Sequence, residues 1–387
     1  MLISNVIPVG SNTNIQIKIQ NGLIKALNQS QNILADDGTD IHLKFDNAIV
    51  FPGLINSHEH LDFNLFSPYG HNKYNNYVEW ANYIHTTHKN EINTVLSIPE
   101  HLRTLWGIYK NLLCGITTVI NHGKYLPITN NIINVIQPNQ NLHSVQFEKK
   151  WKLKLNHPLK NKEAYCIHIG EGIDGWAQNE IDKLIHWNFL HKELIGIHAV
   201  AMKPLQAKRF KAIVWCPSSN YFLFNSTADI TRLKLLTKII FGTDSTLTAD
   251  WNIWNHLRLG RTTNMLTDTE LFHSVTSTPA SVWKKNTGNI VIEKEADLVI
   301  ANNSKNTIFN SFYNTNPENI LLITIKGAIK LFDETQKEQI VPYNLDLKNF
   351  SRIKIANTVK YVYGNLAELT NIIHQYHPSV RFPFEII

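Results

Sequence analysis

The stretch Phe51–Phe66, FPGLINSHEHLDFNLF, decides how the rest of the chain is read. A short apolar run, broken by Pro52 and Gly53, resumes at Leu54 and Ile55 and ends in two histidines one residue apart, His58 and His60. Side chains alternate along a strand, so residues two apart share a side and this pair could grip one ion. Alone, the pair means little. With 18 histidines in 387 residues, an H-x-H is expected about once by chance. The spaced pairs His85/His88 and His374/His377 carry the same hazard. The reading turns on whether other metal-capable residues also end apolar runs.

They do. From about residue 50 to 285, short apolar runs (GITTVIN, AYCIHIG, LIGIHAV, AIVWCP, KIIFGTD) alternate with longer polar or helix-like segments, the pattern of parallel βα units. In a parallel βα barrel, catalytic residues gather at the C-terminal ends of the strands, where the loops share one mouth. His168 follows AYCI, His198 follows LIGI and Asp244 follows IIFGT. With His58 and His60 they supply four imidazoles and a carboxylate, a set suited to one divalent transition ion. Zinc is favoured and iron is the alternative. Glu171, three residues past His168, is placed to shuttle a proton beside that ion; the competing reading is a surface loop glutamate.

The bulk numbers bound the rest. The hydrophobic fraction of 43% and charged fraction of 18% are those of a globular protein, and no window is long and apolar enough for a membrane helix. The start, MLISNVIPVG, has no basic region leading into an apolar run, so no export signal is expected. Cys114, Cys166 and Cys216 lie far apart with no C-x-x-C, which fits a reducing cytoplasmic compartment and argues against a cysteine-bound zinc. The charge of +6 invites a nucleic-acid partner. The local excess, however, sits in EKKWKLKLNHPLKNK, where Trp151, Leu153 and Leu155 alternate with lysines as in a half-buried strand. We expect a small-molecule substrate and no nucleic-acid or membrane partner; a homodimer is compatible with the sequence.

Residues 1–50 and 285–345 are β-like (NIQIKIQ, IHLKFDNAIV, NILLITIKGAIKLF), which predicts one small domain assembled from both chain ends around a core at 51–284. Residues 346–387 form a C-terminal extension packing on either part, with NLAELTNIIHQYH as a closing helix.

These motifs resemble, in order, those of the amidohydrolase superfamily, in particular the branch of cytosine and guanine deaminases and triazine hydrolases. FPGLINSHEHLDF matches the first strand, CGITTVINHG the second, HIGEGIDGWAQNEID the fifth, GIHAVAM the sixth, WCPSSNYFLF the seventh and FGTDSTLTADWNIWNHLR the eighth. VTSTPASVW and GNIVIEKEADLVI match the return to the flanking domain. The resemblance implies a TIM-like (β/α)8 barrel with a small β-sandwich. It implies that His58, His60, His168 and Asp244 bind a single metal and that Asp244 takes a proton from the attacking water. His198 would orient that nucleophile, and Glu171 would protonate a ring nitrogen or leaving group. No lysine is placed to bridge a second metal. The expected activity is hydrolytic deamination of a nitrogen heterocycle. Hydrolysis of a cyclic amide or of another ring substituent is the alternative, and a non-catalytic interaction protein the alternative of another class.

Three expectations mark departures. The interval from His122 to His168 is too short for the full complement of strands and helices at average lengths, so the third and fourth βα units should be abbreviated, with LHSVQF and WKLKL as short strands. Glu59, between the two histidines, should face away from the metal and needs a partner, because an unpaired buried carboxylate is costly. Asn64, Trp80, His122 and Ser245 are candidate substrate contacts, with Trp80 more readily read as helix packing and His122 equally readable as a mere strand-end histidine.

Overall fold

The computed structural model describes residues 1–29, 41–71, 73–129, 131–138, 140–158, 164–304, 307–343 and 345–387. Its centre is a set of eight parallel strands. In chain order they are Leu54–Glu59, Ile116–Asn121, Asn134–Ile136, Asn141–Ser144, Tyr165–Ile169, Leu194–His198, Ala212–Trp215 and Lys238–Phe241. The first three form one sheet, and the fourth to the eighth form another in sequential order. Every residue of the first, second, fifth, sixth and seventh strands is buried. Parallel strands are covered on both faces, and the fifth, sixth and seventh meet that burial with mainly apolar residues.

The two sheets meet where the eighth strand approaches the first. The backbone N–H groups of Thr243 and Asp244 donate to the His58 carbonyl at 3.2 and 3.0 Å. Gly242 permits this approach, because a Cβ there would lie 2.7 Å from His58 Cβ. No ladder joins the third strand to the fourth among the described residues.

The region between the second and fifth strands is reduced, and it differs in detail from the sequence reading. The third strand is only Asn134–Ile136, in an Asn-rich stretch. The fourth is Asn141–Ser144, overlapping LHSVQF. WKLKL is not a strand. Trp151–Leu155 is one helical turn that buries Trp151 and Leu155 and leaves Leu153 73% exposed. Over five residues, burial at the first and fifth satisfies a helix as well as a strand, and only Leu153 distinguishes them.

Both chain ends build one continuous sheet of ten strands. The joint is the antiparallel pairing of His42–Pro52 with Leu298–Asn302, Val50 opposite Ile300. Bulges at Ile3/Val6 and Ile300/Ala301 interrupt the ladders, a device that bends strands. A separate apolar core including Phe45, Val50, Ile300 and Phe332 lies against this sheet. The C-terminal segment does more than pack on its neighbours. Phe350–Ile355, Thr358–Tyr363 and Glu385–Ile386 extend the sheet, the expected helix forms at Leu366–Tyr376, and Phe382 and Phe384 close on Trp106.

Among the described residues no helix is long and apolar enough to cross a membrane. The three cysteines are free and buried.

Candidate metal and proton-transfer site

The strand ends bring the predicted ligands together. Nε2 of His58 lies 3.3 Å from Nε2 of His168 and 3.7 Å from Asp244 Oδ1, while His60 Nε2 lies 3.9 Å from the same oxygen. Ligand atoms of His58, His60 and His168 all fall within 4.8 Å of one another, as do those of His58, His198 and Asp244. Adjacent ligands of a tetrahedral zinc with Zn–N near 2.05 Å are separated by about 3.3 Å, so the spacing of this donor set suits such an ion.

Protonation fits as well. Burial, reinforced by mutual repulsion among the imidazoles, holds His58 and His168 well below the usual histidine range. Both rings are therefore neutral, as ligands must be. His168 Nδ1 is 2.8 Å from the His143 carbonyl, which requires the proton on Nδ1 and turns the Nε2 lone pair toward the other ligands. His198 is likewise fixed, its Nδ1 2.8 Å from Asn220 Oδ1.

Asp244 and His198 both sit at positive φ, 59° and 69°. Each such non-glycine residue costs on the order of 1–3 kcal/mol, a cost that concentrates at functional positions. The Asp244 carboxylate is oriented by three donors: Ser245 N–H to Oδ1 at 2.8 Å, and the hydroxyls of Ser219 and Thr248 to Oδ2 at 2.9 and 3.0 Å.

Glu171 is buried in the loop after the fifth strand, its carboxylate 3.6 Å from His198 Nε2. Burial first, then the charges of Asp244 and Glu180, push its carboxyl well above the usual range, which favours its protonated form. The loop is pinned from outside. Tyr77 N–H donates to the Glu171 carbonyl at 3.1 Å, Ile173 N–H to the Asn75 carbonyl at 2.8 Å, and Asn76 Nδ2 to Asp174 at 2.8 Å. The same Asn76 caps the helix Tyr77–Thr87.

Glu59 does turn from the ligands, into a fully buried polar cluster. Lys110 Nζ donates to its Oε2 at 2.7 Å, joined by Asn111, Asn56 and Thr243, while Asn64 Nδ2 and His60 N–H donate to Oε1. The two charges that flank the histidines from below are thus paired and hydrogen-bonded, which burial demands.

A cavity of about 500 Å³ opens onto this site, lined by His60, His143, His168, Glu171, His198 and Asp244 at one end. Of the candidate substrate contacts, Trp80 and Ser245 line it. Asn64 and His122 do not. Asn64 is consumed by Glu59, Lys110 and the His60 carbonyl. His122 is buried with its ring 4.5 Å from that of His168, behind the ligands. Trp254 is core, edge-on to Phe51 and Phe312. The sequence reading missed His143, Phe147 and Thr248 in the wall and Lys110 behind it. His143 near the end of the fourth strand and Lys110 among the apolar residues Trp106, Ile108, Leu112 and Leu113 of the helix Glu100–Leu113 were the available signals.

Comparison with known proteins extends the picture. No protein-family model and no curated protein sequence matches the chain. Solved structures do. An adenosine deaminase from Xanthomonas campestris with bound zinc is 14% identical at a TM-score of 0.63, covering 98% of both chains. The atrazine chlorohydrolase TrzN from Arthrobacter aurescens TC1, complexed with zinc, is 13% identical at 0.69, covering 98% of this chain and 100% of its own. A guanine deaminase from C. acetobutylicum with bound guanine is 13% identical at 0.63, covering 85% and 99%. At these identities the likeness is one of fold, shared with these two deaminases and the chlorohydrolase.

Proposed function

We propose that this protein is a mononuclear metal-dependent hydrolase that attacks a ring carbon of a nitrogen heterocycle and releases an amino group. The observation that carries the reading is the convergence of His58, His60, His168 and Asp244 beside the buried Glu171 at the end of one cavity. In this reading the two parallel sheets are the halves of a (β/α)8 barrel at 51–284. Residues 1–50 and 285–345 make the small domain and 346–387 its extension. A cytoplasmic location accords with the free, buried cysteines.

His58, His60, His168 and Asp244 would hold one zinc ion. When bound, that ion supplies Lewis acidity toward a water nucleophile and toward charge developing on the attacked ring. The chain's own groups do the rest. Asp244, held by Ser219, Thr248 and the Ser245 N–H, accepts the proton of the attacking water. His198, with its Nδ1 proton engaged by Asn220, presents Nε2 to orient that water. Glu171 delivers its proton to the ring nitrogen, is recharged from Asp244, and protonates the departing amine as ammonia; as the C–N bond breaks and the carbonyl forms, the second water proton leaves the added oxygen and returns through Asp244 to Glu171. Zinc accompanies the fold in the deaminase and chlorohydrolase structures.

The test is ammonia release by zinc-loaded protein across aminopurines, aminopyrimidines, pterins and aminotriazines, comparing wild type with Glu171→Gln. General acid-base groups contribute on the order of 10²–10⁴-fold, so the variant should lose roughly that much in kcat while retaining its metal. A near-normal rate would remove Glu171 from the proton path.

A further inference from the structure

The cavity has two chemically different ends. Around Glu171, His198, Asp244 and Ser245 it is polar; the rest is walled by Phe66, Trp80, Ile84, Ile92, Leu96 and Leu247. Most of this arm comes from the loop after the first strand and the helices Tyr77–Thr87 and Lys89–Leu96. The buried Tyr77 hydroxyl in its wall has no hydrogen-bond partner among the described residues, while two other polar groups are spent. The Trp80 indole N–H donates to the Tyr69 carbonyl at 2.7 Å, and at the junction Thr248 Oγ1 donates to Asp244. Among the described residues no lysine or arginine lines the cavity, whereas two carboxyl groups do. Leu96 and Phe147, both in the wall, are 45% and 46% exposed, so the mouth itself is apolar. The polar residues Asn82 and His85 stand exposed at the rim.

A volume of about 500 Å³ matches drug-sized ligands and exceeds a bare heterocyclic base several-fold. An anionic substituent would find no counter-charge in the arm. A hydroxyl-rich one would leave hydrogen bonds unmade, at a cost in affinity. An alkyl, alkylthio or aryl group would be desolvated on every side.

We propose that the substrate is an uncharged nitrogen heterocycle carrying an apolar substituent, with the ring at the polar end and the substituent between Trp80, Ile84, Ile92 and Leu96. This rests on the hydrolase reading for the reaction at the ring, while the apolar arm is a binding property with its own readout.

Two matched series test it on the zinc-loaded full chain. Adenines and aminotriazines bearing hydrogen, methyl, propyl, butyl or carboxymethyl at one position are assayed for ammonia. The corresponding 9-substituted purines lacking the amino group are titrated by calorimetry as non-reacting probes. Burying each added methylene should raise affinity and kcat/KM by about fourfold. The carboxymethyl members should fall about tenfold or more below propyl. Leu96→Asp should flatten the chain-length gradient in both measurements. Tightest binding and fastest turnover of the bare or carboxymethyl rings would overturn the proposal while leaving the deaminase reading intact. A chain-length gradient in binding without ammonia from any member would keep the apolar site and remove the reaction. Absence of both binding and turnover would overturn both.

Discussion

Glu59 shows how much one residue can carry without touching substrate. It lies between His58 and His60, and its charge is met by Lys110 from the helix Glu100–Leu113. Both side chains are essentially inaccessible, at 0% and 1% exposed. Removing one member of such a pair leaves the other charge buried and unpaired, at about 3–5 kcal/mol, whereas replacing both with apolar groups of similar volume is often tolerated. Lys110→Met should therefore lower unfolding stability by that amount in denaturant titrations. The double variant Lys110→Met, Glu59→Leu should recover a large part of the loss. Equal loss in the double variant would mean that the pair's contribution lies in the surrounding amide network. At this scale the site was legible wherever a ligand ends an apolar run, as His58, His168, His198 and Asp244 do. It was not legible where the signal is an interaction partner distant in sequence: nothing local links Lys110 to Glu59, and Asn64 reads as a pocket residue until its bonds are seen to be spent.

Among the elements, legibility followed length and burial. Strands such as Leu194–His198 announce themselves by five consecutive buried residues ending in a histidine. Asn134–Ile136 has three residues, pairs with the second strand only, and is only half-buried, so its sequence carries little of a strand's apolar pattern. Trp151–Leu155 failed differently. Its alternation of apolar residues and lysines matched a strand, but a helical turn spaces Trp151 and Leu155 on one face and lets Leu153 go to water. Surface substitutions usually stay within about 0.5 kcal/mol, and burying less of a core leucine costs about 2–5 kcal/mol. Leu153→Lys should accordingly leave the melting temperature unchanged, and Leu155→Ala should lower it. A strong loss from Leu153→Lys would restore the strand.

The whole molecule joins two cores, one around the parallel strands and one under the ten-stranded sheet. It also stores a pH dependence away from the ligands. Glu180, on the helix Gly175–Trp187, is pushed up to about 8 by burial, with the Val145 N–H and Lys183 pulling the other way and Asp174 adding a smaller push upward. The folded state then holds a proton that the unfolded chain has released above its ordinary pKa. Stability from this group is full below the unfolded value near 4.5 and declines as pH rises toward about 8. Glu180→Gln should flatten that decline, so that the variant gains on wild type in melting temperature between pH 5 and pH 8.5 by a few degrees, about 1–2 °C per kcal/mol for a chain of this size. Parallel curves for the two proteins would show that Glu180 titrates alike in both states.

The central claim is that three histidines and an aspartate from distant strand ends hold one ion. Anomalous diffraction at the zinc edge, combined with metal analysis of the purified protein, addresses it most directly. The account predicts about one zinc per chain, with a single peak about 2 Å from Nε2 of His58, His60 and His168 and from an Asp244 oxygen, and loss of that zinc in His58→Ala. A metal-free protein that will not take up zinc, a peak elsewhere, or full occupancy in His58→Ala would contradict it.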